Sequence, residues 1–212
     1  SNPNNNININ IVGGRNILIE ILSKNYVPFN CKIKNGVTNI FSDQNVGRTS
    51  FLKMIGQLVY LSQIGCYVPC DIFETTLFHH IHSHLIIDES ILSSVSGFVG
   101  ELNNLKIINE TIKLVKQPRL ILLDDAYKRT SEINAFSLFL SNLDFYHSLA
   151  LKKELFTVLS CQNISMLDLI ANVFKQNKNQ INILIEKFNF TVINKNLSMF
   201  QFKNNSEVEI LL

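Results

Sequence analysis

The chain has 212 residues, of which 46% are hydrophobic and 17% are charged, and its formal net charge is +2. This length and apolar content suit one sizeable domain with a proper core. The weak net charge argues against a strong electrostatic footprint for nucleic acid, and no apolar run approaches the roughly 18 residues needed to span a membrane. The four cysteines, spread through an apolar chain, indicate buried thiols in a reducing compartment rather than a disulfide framework.

The first elements predicted along the chain are short. Residues 1–13, which begin with an Asn-rich stretch, are interpreted as a flexible arm. An apolar run at 16–22 is typical of a strand or a short helix. Alternation over residues 31–34, followed by Asn35-Gly36, predicts a hairpin turn that leads into a short buried strand at 37–41.

A polar loop separates that strand from a helix with an apolar face. Residues 42–49 occupy the eight positions of the phosphate-binding P-loop G-x-x-x-x-G-K-[ST]; Gly47 and Thr49 fit it, and Arg48 stands in the lysine position. Backbone N–H groups of such a loop surround an anion, and a helix that begins at Thr49 adds its partial positive charge. The Thr49 hydroxyl suits Mg²⁺. An ordinary strand-to-helix turn is the alternative that this stretch alone leaves open.

The helix after the loop is predicted to end near Gly65, and a second helix is predicted at 98–115. Between them, residues 71–87 hold four of the five histidines: His79, His80, His82 and His84. A metal site is one interpretation, and accidental clustering on a polar strand or loop is the favoured one. Alternation along a strand would divide the histidines between two faces.

A buried parallel strand is predicted at 119–123, because four apolar residues follow Arg119 and end at Asp124 and Asp125. Ligands bind at the C-terminal edge of such sheets. An acid there can hold Mg²⁺, and the next can polarise an attacking water. The remaining predicted elements are a helix at 133–143, a strand at 155–160, a helix at 166–174 and strands at 181–185, 188–192 and 197–202.

Several motifs, in this order, resemble the ATPase domain of the MutS mismatch-repair family. The helix after the P-loop runs into Gln63-Ile64-Gly65-Cys66-Tyr67-Val68-Pro69-Cys70, which is similar to the family's Q-I-G-C-[FY]-V-P-[AC]. Residues 95–101 resemble its S-T-F-M-x-E signature segment, and residues 122–131 resemble L-L-D-E-x-x-x-G-T-S. Upstream, residues 14–16 and 26–28 resemble R-H-P and F-[IV]-P-N.

The resemblance implies an α/β fold: a P-loop NTPase of the ABC type, with a mostly parallel sheet flanked by helices and additional antiparallel strands, over residues 14–212. It implies ATP and Mg²⁺ as cofactors, with Asp125 catalytic and with Thr49 and Asp124 as metal ligands. Another MutS-like subunit, in a homodimer or heterodimer, would be the partner, and Ser96 would reach that partner's ATP. Domains outside this chain would bind mismatched or branched DNA in the nucleus. The implied cofactor-binding residues are Tyr26, Gln44, Asn45, Val46, Gly47, Arg48, Thr49, Ser50 and Ser96.

The chain also departs from the family pattern within the implied site. Asp43 adds a negative charge to the loop, and Asp125 is one methylene shorter than the family's glutamate. Other departures are Arg48 for Lys, Arg129 for Gly, Asn134 for Asp and Cys161 for the switch His. Together they predict slow hydrolysis, or binding without turnover. The alternatives are a degenerate scaffold subunit of a MutS-homologue heterodimer, with a possible role in meiotic recombination, and a pseudo-ATPase interaction module; the absence of L-S-G-G-Q argues against a transporter ATPase.

Overall fold

The computed structural model describes residues 8–22, 26–41, 47–85, 97–114, 117–127, 129–152, 154–161 and 189–192. These residues form four helices and eight strands. In chain order they are β1 (Asn8–Gly14), α1 (Ile17–Leu22), β2 (Phe29–Lys34), β3 (Gly36–Phe41), α2 (Arg48–Gln63), β4 (Ile72–Glu74), β5 (His80–His84), α3 (Gly97–Leu114), β6 (Arg119–Leu123), α4 (Glu132–Ala150), β7 (Leu155–Cys161) and β8 (Asn189–Val192).

The larger sheet is parallel, with five strands in the order β5-β6-β7-β3-β8. All five residues of β6 are buried, which confirms the prediction of a buried parallel strand at 119–123. Phe41 at the end of β3 pairs with Cys161 at the end of β7, and Leu123 pairs with Leu159. The C-terminal ends of β3, β6 and β7 therefore meet at one edge, where Asp124 follows β6.

Side chains alternate along β6, so the sheet has a core on each face. Leu120 and Leu122 belong to the core that α2 and the smaller sheet cover, whereas Ile121 and Leu123 belong to the core under α3 and α4. Full burial of one such side chain contributes about 1.5–3 kcal/mol to stability. Both cores fix the position of β6, and hence of the acidic pair that follows it.

The smaller sheet is antiparallel, in the order β2-β1-β4, and it corrects the predicted arm. The prediction of a flexible arm at residues 1–13 is wrong for residues 8–13, which lie in β1. Ile9 and Ile11 are fully buried. Their alternation with Asn8 and Asn10 is the period of a strand with one buried face, and pairing with β2 and β4 stabilises it. Residues 1–7 lie outside the described part of the chain.

The hairpin prediction at Asn35-Gly36 is also wrong, because β2 and β3 lie in different sheets. Gly36 has φ of +121°, which favours glycine, and the chain changes sheets at this point. The Asn35 side chain donates to the carbonyl of Ala150 at 3.1 Å and accepts from the N–H of Leu155 at 2.8 Å. Asn35 therefore binds both ends of the α4–β7 connection instead of closing a turn between β2 and β3.

The helix boundaries predicted from sequence agree with the structure for α2 and α3 but not for α4. Gly65, with φ of +77°, follows α2, and the Cys66 N–H donates to the carbonyl of Leu61 at 2.9 Å, which confirms an end near Gly65. The bounds of α3 confirm the helix predicted at 98–115, whereas α4 is longer than the predicted 133–143. None of the described helices is long and apolar enough to cross a membrane.

Three of the later predictions lie outside the described residues. They are the helix at 166–174 and the strands at 181–185 and 197–202. The strand predicted at 188–192 agrees with β8, which pairs with β3 in parallel.

Candidate functional site

The start of α2 lies at the C-terminal edge of the parallel sheet. Gly47 has φ of +98°, in the left-handed region that glycine adopts without strain, and its carbonyl accepts the N–H of Phe51 at 2.9 Å. The helix begins at Arg48, one residue before the predicted start at Thr49. The loop residues predicted to bind the cofactor at positions 44–46 lie outside the described part of the chain.

Thr49 and Asp124, the two implied metal ligands, are in direct contact with each other. The Thr49 hydroxyl donates to Oδ2 of Asp124 at 2.5 Å, and the Ser160 hydroxyl donates to Oδ1. Asp124 is only 2% exposed, and its backbone N–H donates to the carbonyl of His84 at 2.9 Å. Among the described residues, the Asp124 carboxylate accepts hydrogen bonds from two neutral hydroxyls.

These donors fit a divalent cation of the Mg²⁺ type. Magnesium prefers oxygen ligands, which the Thr49 hydroxyl and the Asp124 carboxylate supply. A buried carboxylate is costly without a compensating charge, and a bound cation would supply that charge to Asp124. The two residues could therefore hold the metal that the family resemblance implies.

Arg48 and Asp125 form a buried ion pair beside that contact. Nη2 of Arg48 lies 3.2 Å from Oδ1 of Asp125, and the two side chains are 7% and 8% exposed. The residue in the P-loop lysine position is thus paired with the predicted catalytic acid. Asp125 has φ of +45°, and its N–H donates to the Ser160 hydroxyl at 3.1 Å.

Sequence reasoning did not assign a site role to Ser160 or Glu101. The Ser160 hydroxyl joins the Asp124 carboxylate to the Asp125 backbone. Glu101 on α3 is 7% exposed, and its Oε1 accepts the N–H of Tyr127 at 2.6 Å. A hydroxyl at the end of a third buried strand was the available signal for Ser160. Only the fold brings Glu101 to the turn of residues 124–127, which follows β6. At that turn burial, together with Tyr146 and Glu101, raises the pKa of the Tyr127 phenol.

Two more predicted cofactor-binding residues, Tyr26 and Ser50, lie near or within the first turn of α2. The Tyr26 hydroxyl accepts the N–H of Asn16 at 2.7 Å, and the Asn16 side chain donates to the carbonyl of Ser50 at 3.3 Å. Asn16 therefore connects Tyr26 to the helix that carries Arg48 and Thr49. This arrangement places Tyr26 at the same end of α2 as the other predicted residues.

The signature segment is described from Gly97 onward, and Ser96 lies outside the described residues. A Cβ added at Gly97 would clash with Nη1 of Arg129. Arg129 occupies the position of a glycine in the family pattern, and its guanidinium lies against the start of α3. Any larger residue at position 97 would force this guanidinium to move.

The histidine cluster lies on and beside β5. His80, His82 and His84 lie on one face of β5, so the expectation that a strand would divide them is wrong for these three. His82 lies 3.3 Å from Nη1 of Arg119, and burial together with Arg119 lowers the pKa of His82. Within the described ranges no group of three or more His, Cys, Asp or Glu side chains could hold a metal ion.

Comparison with known proteins gives the same family along most of the chain. Residues 40–208 match the family model described as MutS domain V. The chain is 31% identical over 147 residues to "DNA mismatch repair protein MSH3" of Kluyveromyces lactis, covering 67% of this chain and 14% of that protein. It is 27% identical over 201 residues to the protein of the same name in Candida albicans, covering 92% and 18%.

A bacterial protein is also similar. The chain is 25% identical over 191 residues to "DNA mismatch repair protein MutS" of Bacillus velezensis, covering 87% of this chain and 21% of that protein. The chain thus spans between 14% and 21% of the length of these three relatives. The matching family model, the relatives and the ordered motifs agree, and the chain belongs to the MutS family of DNA mismatch-repair proteins.

Proposed function

We propose that this chain is the ATP-binding domain of a MutS-like mismatch-repair protein, with a P-loop NTPase fold of the ABC type. The contact between Thr49 and Asp124 carries the proposal. It joins the end of a P-loop-like segment to the first acid after a buried parallel strand, 75 positions later in the sequence. Ligands of open α/β sheets bind at this edge.

Each residue of the edge has a separate task in nucleotide binding. The backbone N–H groups at the start of α2 would bind phosphate, and the left-handed conformation of Gly47, with φ of +98°, would allow its close approach. Thr49 and Asp124 would hold Mg²⁺, which when bound neutralises phosphate charge. Ser160 orients Asp124 through its hydroxyl. Tyr26, tied through Asn16 to the first turn of α2, would be a further contact for the nucleotide.

Hydrolysis is proposed to be slow or lost. Arg48 and Asp125 neutralise each other, so the phosphates compete with Asp125 for the guanidinium. An acid that polarises water must reach that water; Asp125 is one methylene short of the family's glutamate and its carboxylate is directed to Arg48. The same ion pair favours the second candidate, a pseudo-ATPase scaffold subunit in which the site stays closed to nucleotide.

In the full protein, nucleotide binding would control closure of this domain against another MutS-like subunit, in a homodimer or heterodimer. Contact with mismatched or branched DNA would come from domains outside this chain, in the nucleus. These proposals follow from family membership and from the mismatch-repair names of the relatives. They agree with the weak net charge of +2, since this domain itself need not bind DNA.

Titration with a fluorescent ATP analogue, with and without Mg²⁺, tests the proposal. The wild-type chain should bind, and Mg²⁺ should strengthen binding. Thr49→Val should lose about tenfold of the Mg²⁺-dependent gain, because valine removes a proposed oxygen ligand of the metal and interactions of a polar group with a charged partner contribute about 1.5–3 kcal/mol. Thr111→Val is the matched control, since in the described part of the chain the Thr111 hydroxyl donates to the Ile107 carbonyl of its own helix, away from the site. Absence of binding by the wild-type chain would reject the proposal and favour the scaffold.

A further inference from the structure

Glu101 is a buried carboxylate that needs an explanation. It lies in the second turn of α3 and is 7% exposed. Its Oε1 accepts the N–H of Tyr127 at 2.6 Å and lies 3.8 Å from Nε2 of His84. Its Oε2 is buried and has no hydrogen-bond partner in the described structure. Burying a carboxylate is costly. The short hydrogen bond from the Tyr127 N–H therefore indicates which part of the structure Glu101 stabilises.

That hydrogen bond holds a strained turn. Asp125 has φ of +45° and Tyr127 has φ of +70°, and both values lie in the left-handed region that non-glycine residues rarely adopt. Such conformations persist only when surrounding contacts impose them. Two side chains supply those contacts: Ser160 accepts the Asp125 N–H, and Glu101 accepts the Tyr127 N–H. The backbone on both sides of Ala126 is thereby fixed.

We infer that Glu101 is a positioning residue, which holds the turn of residues 124–127 so that its two acids face the start of α2. This inference rests on the proposed nucleotide-binding function. Glu101 itself touches neither the nucleotide nor the metal. Because it belongs to α3, it also ties the signature helix to the acids of the same domain. A shift of α3 would therefore move both Asp124, which would hold Mg²⁺, and Asp125.

The experiment compares Glu101→Ala with Glu101→Gln, whose side-chain carbonyl can still accept the Tyr127 N–H. Glu110→Ala is the control, because Glu110 lies on the same helix and is 62% exposed. Two quantities are measured on the 212-residue chain: hydrogen–deuterium exchange of the 124–127 segment, and affinity for an ATP analogue with and without Mg²⁺.

Glu101→Ala should speed exchange in that segment and reduce the Mg²⁺-dependent gain in affinity by about fivefold or more, the lower range of measured coupling between sites. Binding without Mg²⁺ should stay within about twofold of wild type, and Glu101→Gln should restore both readouts. Equal loss with and without Mg²⁺, failure of Gln to rescue, or an unchanged Ala variant would each overturn the role of Glu101. A wild-type chain that binds no nucleotide would instead overturn the proposed function.

Discussion

The buried ion pair at the sheet edge should show strong energetic coupling in a double-mutant cycle. The variants are Arg48→Met, Asp125→Asn and the combination of the two. With Nη2 3.2 Å from Oδ1 and an effective dielectric of about 20, the gross attraction is about 5 kcal/mol. Part of this offsets desolvation, and coupling between contacting charged groups is typically about 0.5–3 kcal/mol. We expect about 2–3 kcal/mol, because both side chains are more than nine-tenths buried.

Urea unfolding of the four proteins measures this coupling as a difference of unfolding free energies. Asparagine is chosen at position 125 because it tolerates the left-handed backbone that Asp125 adopts. The control cycle uses Lys106 and Glu110, which are 3.9 Å apart with side chains 71% and 62% exposed. An exposed pair at this helical spacing contributes about 0.3–0.5 kcal/mol. Coupling at Arg48–Asp125 no larger than in the control would refute the assignment of a strong buried pair.

The same variants test whether Asp125 competes with phosphate for Arg48. Affinity is measured with a non-hydrolysable ATP analogue, so that differences in hydrolysis cannot change the apparent affinity. The Mg²⁺ concentration is the same for every variant. Asp125→Asn should raise affinity when Arg48 is present and should have little effect in the Arg48→Met background. An equal gain in both backgrounds would show only that a negative charge near the polyanion was removed, and would contradict direct competition.

Two further predictions concern the phosphate-binding loop and the buried thiol of Cys31. Arg48→Lys combined with Asp43→Pro should strengthen ATP binding in calorimetry while hydrolysis stays low, and unchanged or weaker affinity would contradict phosphate binding by the loop. Burial raises the pKa of the Cys31 thiol from its ordinary 9.0 to about 12, so its contribution to stability is complete below pH 9 and is lost as pH rises toward 12. Brief alkylation at pH 8, followed by mass spectrometry, should accordingly label exposed Cys66 and spare Cys31; equal labelling would show that Cys31 is accessible.

The site could be located from sequence because its main parts have strong local signals. A run of buried apolar residues ending in Asp124-Asp125 predicted both the strand and its edge, and the structure confirms their proximity to Thr49. The pairing of Arg48 with Asp125 could not be predicted in this way. It depends on the left-handed turn after β6, which the Ser160 and Glu101 side chains impose from other elements.

The errors in the fold have a different physical origin. Residues 8–13 belong to the predicted arm, yet in the structure Ile9 and Ile11 are fully buried and their strand pairs with β2 and β4, which come later in the chain. Asn35-Gly36 is a strong hairpin signal, but it reports only local turn geometry. Contacts of Asn35 with the α4–β7 connection decide that the two flanking strands separate.

The two central departures from the family pattern compensate each other in space. Arg48 is longer than the lysine it replaces, and Asp125 is shorter than the glutamate it replaces; the longer forked cation reaches the shorter acid. The formal charge of the pair is the same as in the family pattern. The pair therefore keeps its charge balance, and under the proposed function the cation would be held by the acid rather than by phosphate, and the acid by the cation rather than by water. Changing one residue back without the other breaks this match, so restored turnover would need Arg48→Lys and Asp125→Glu together.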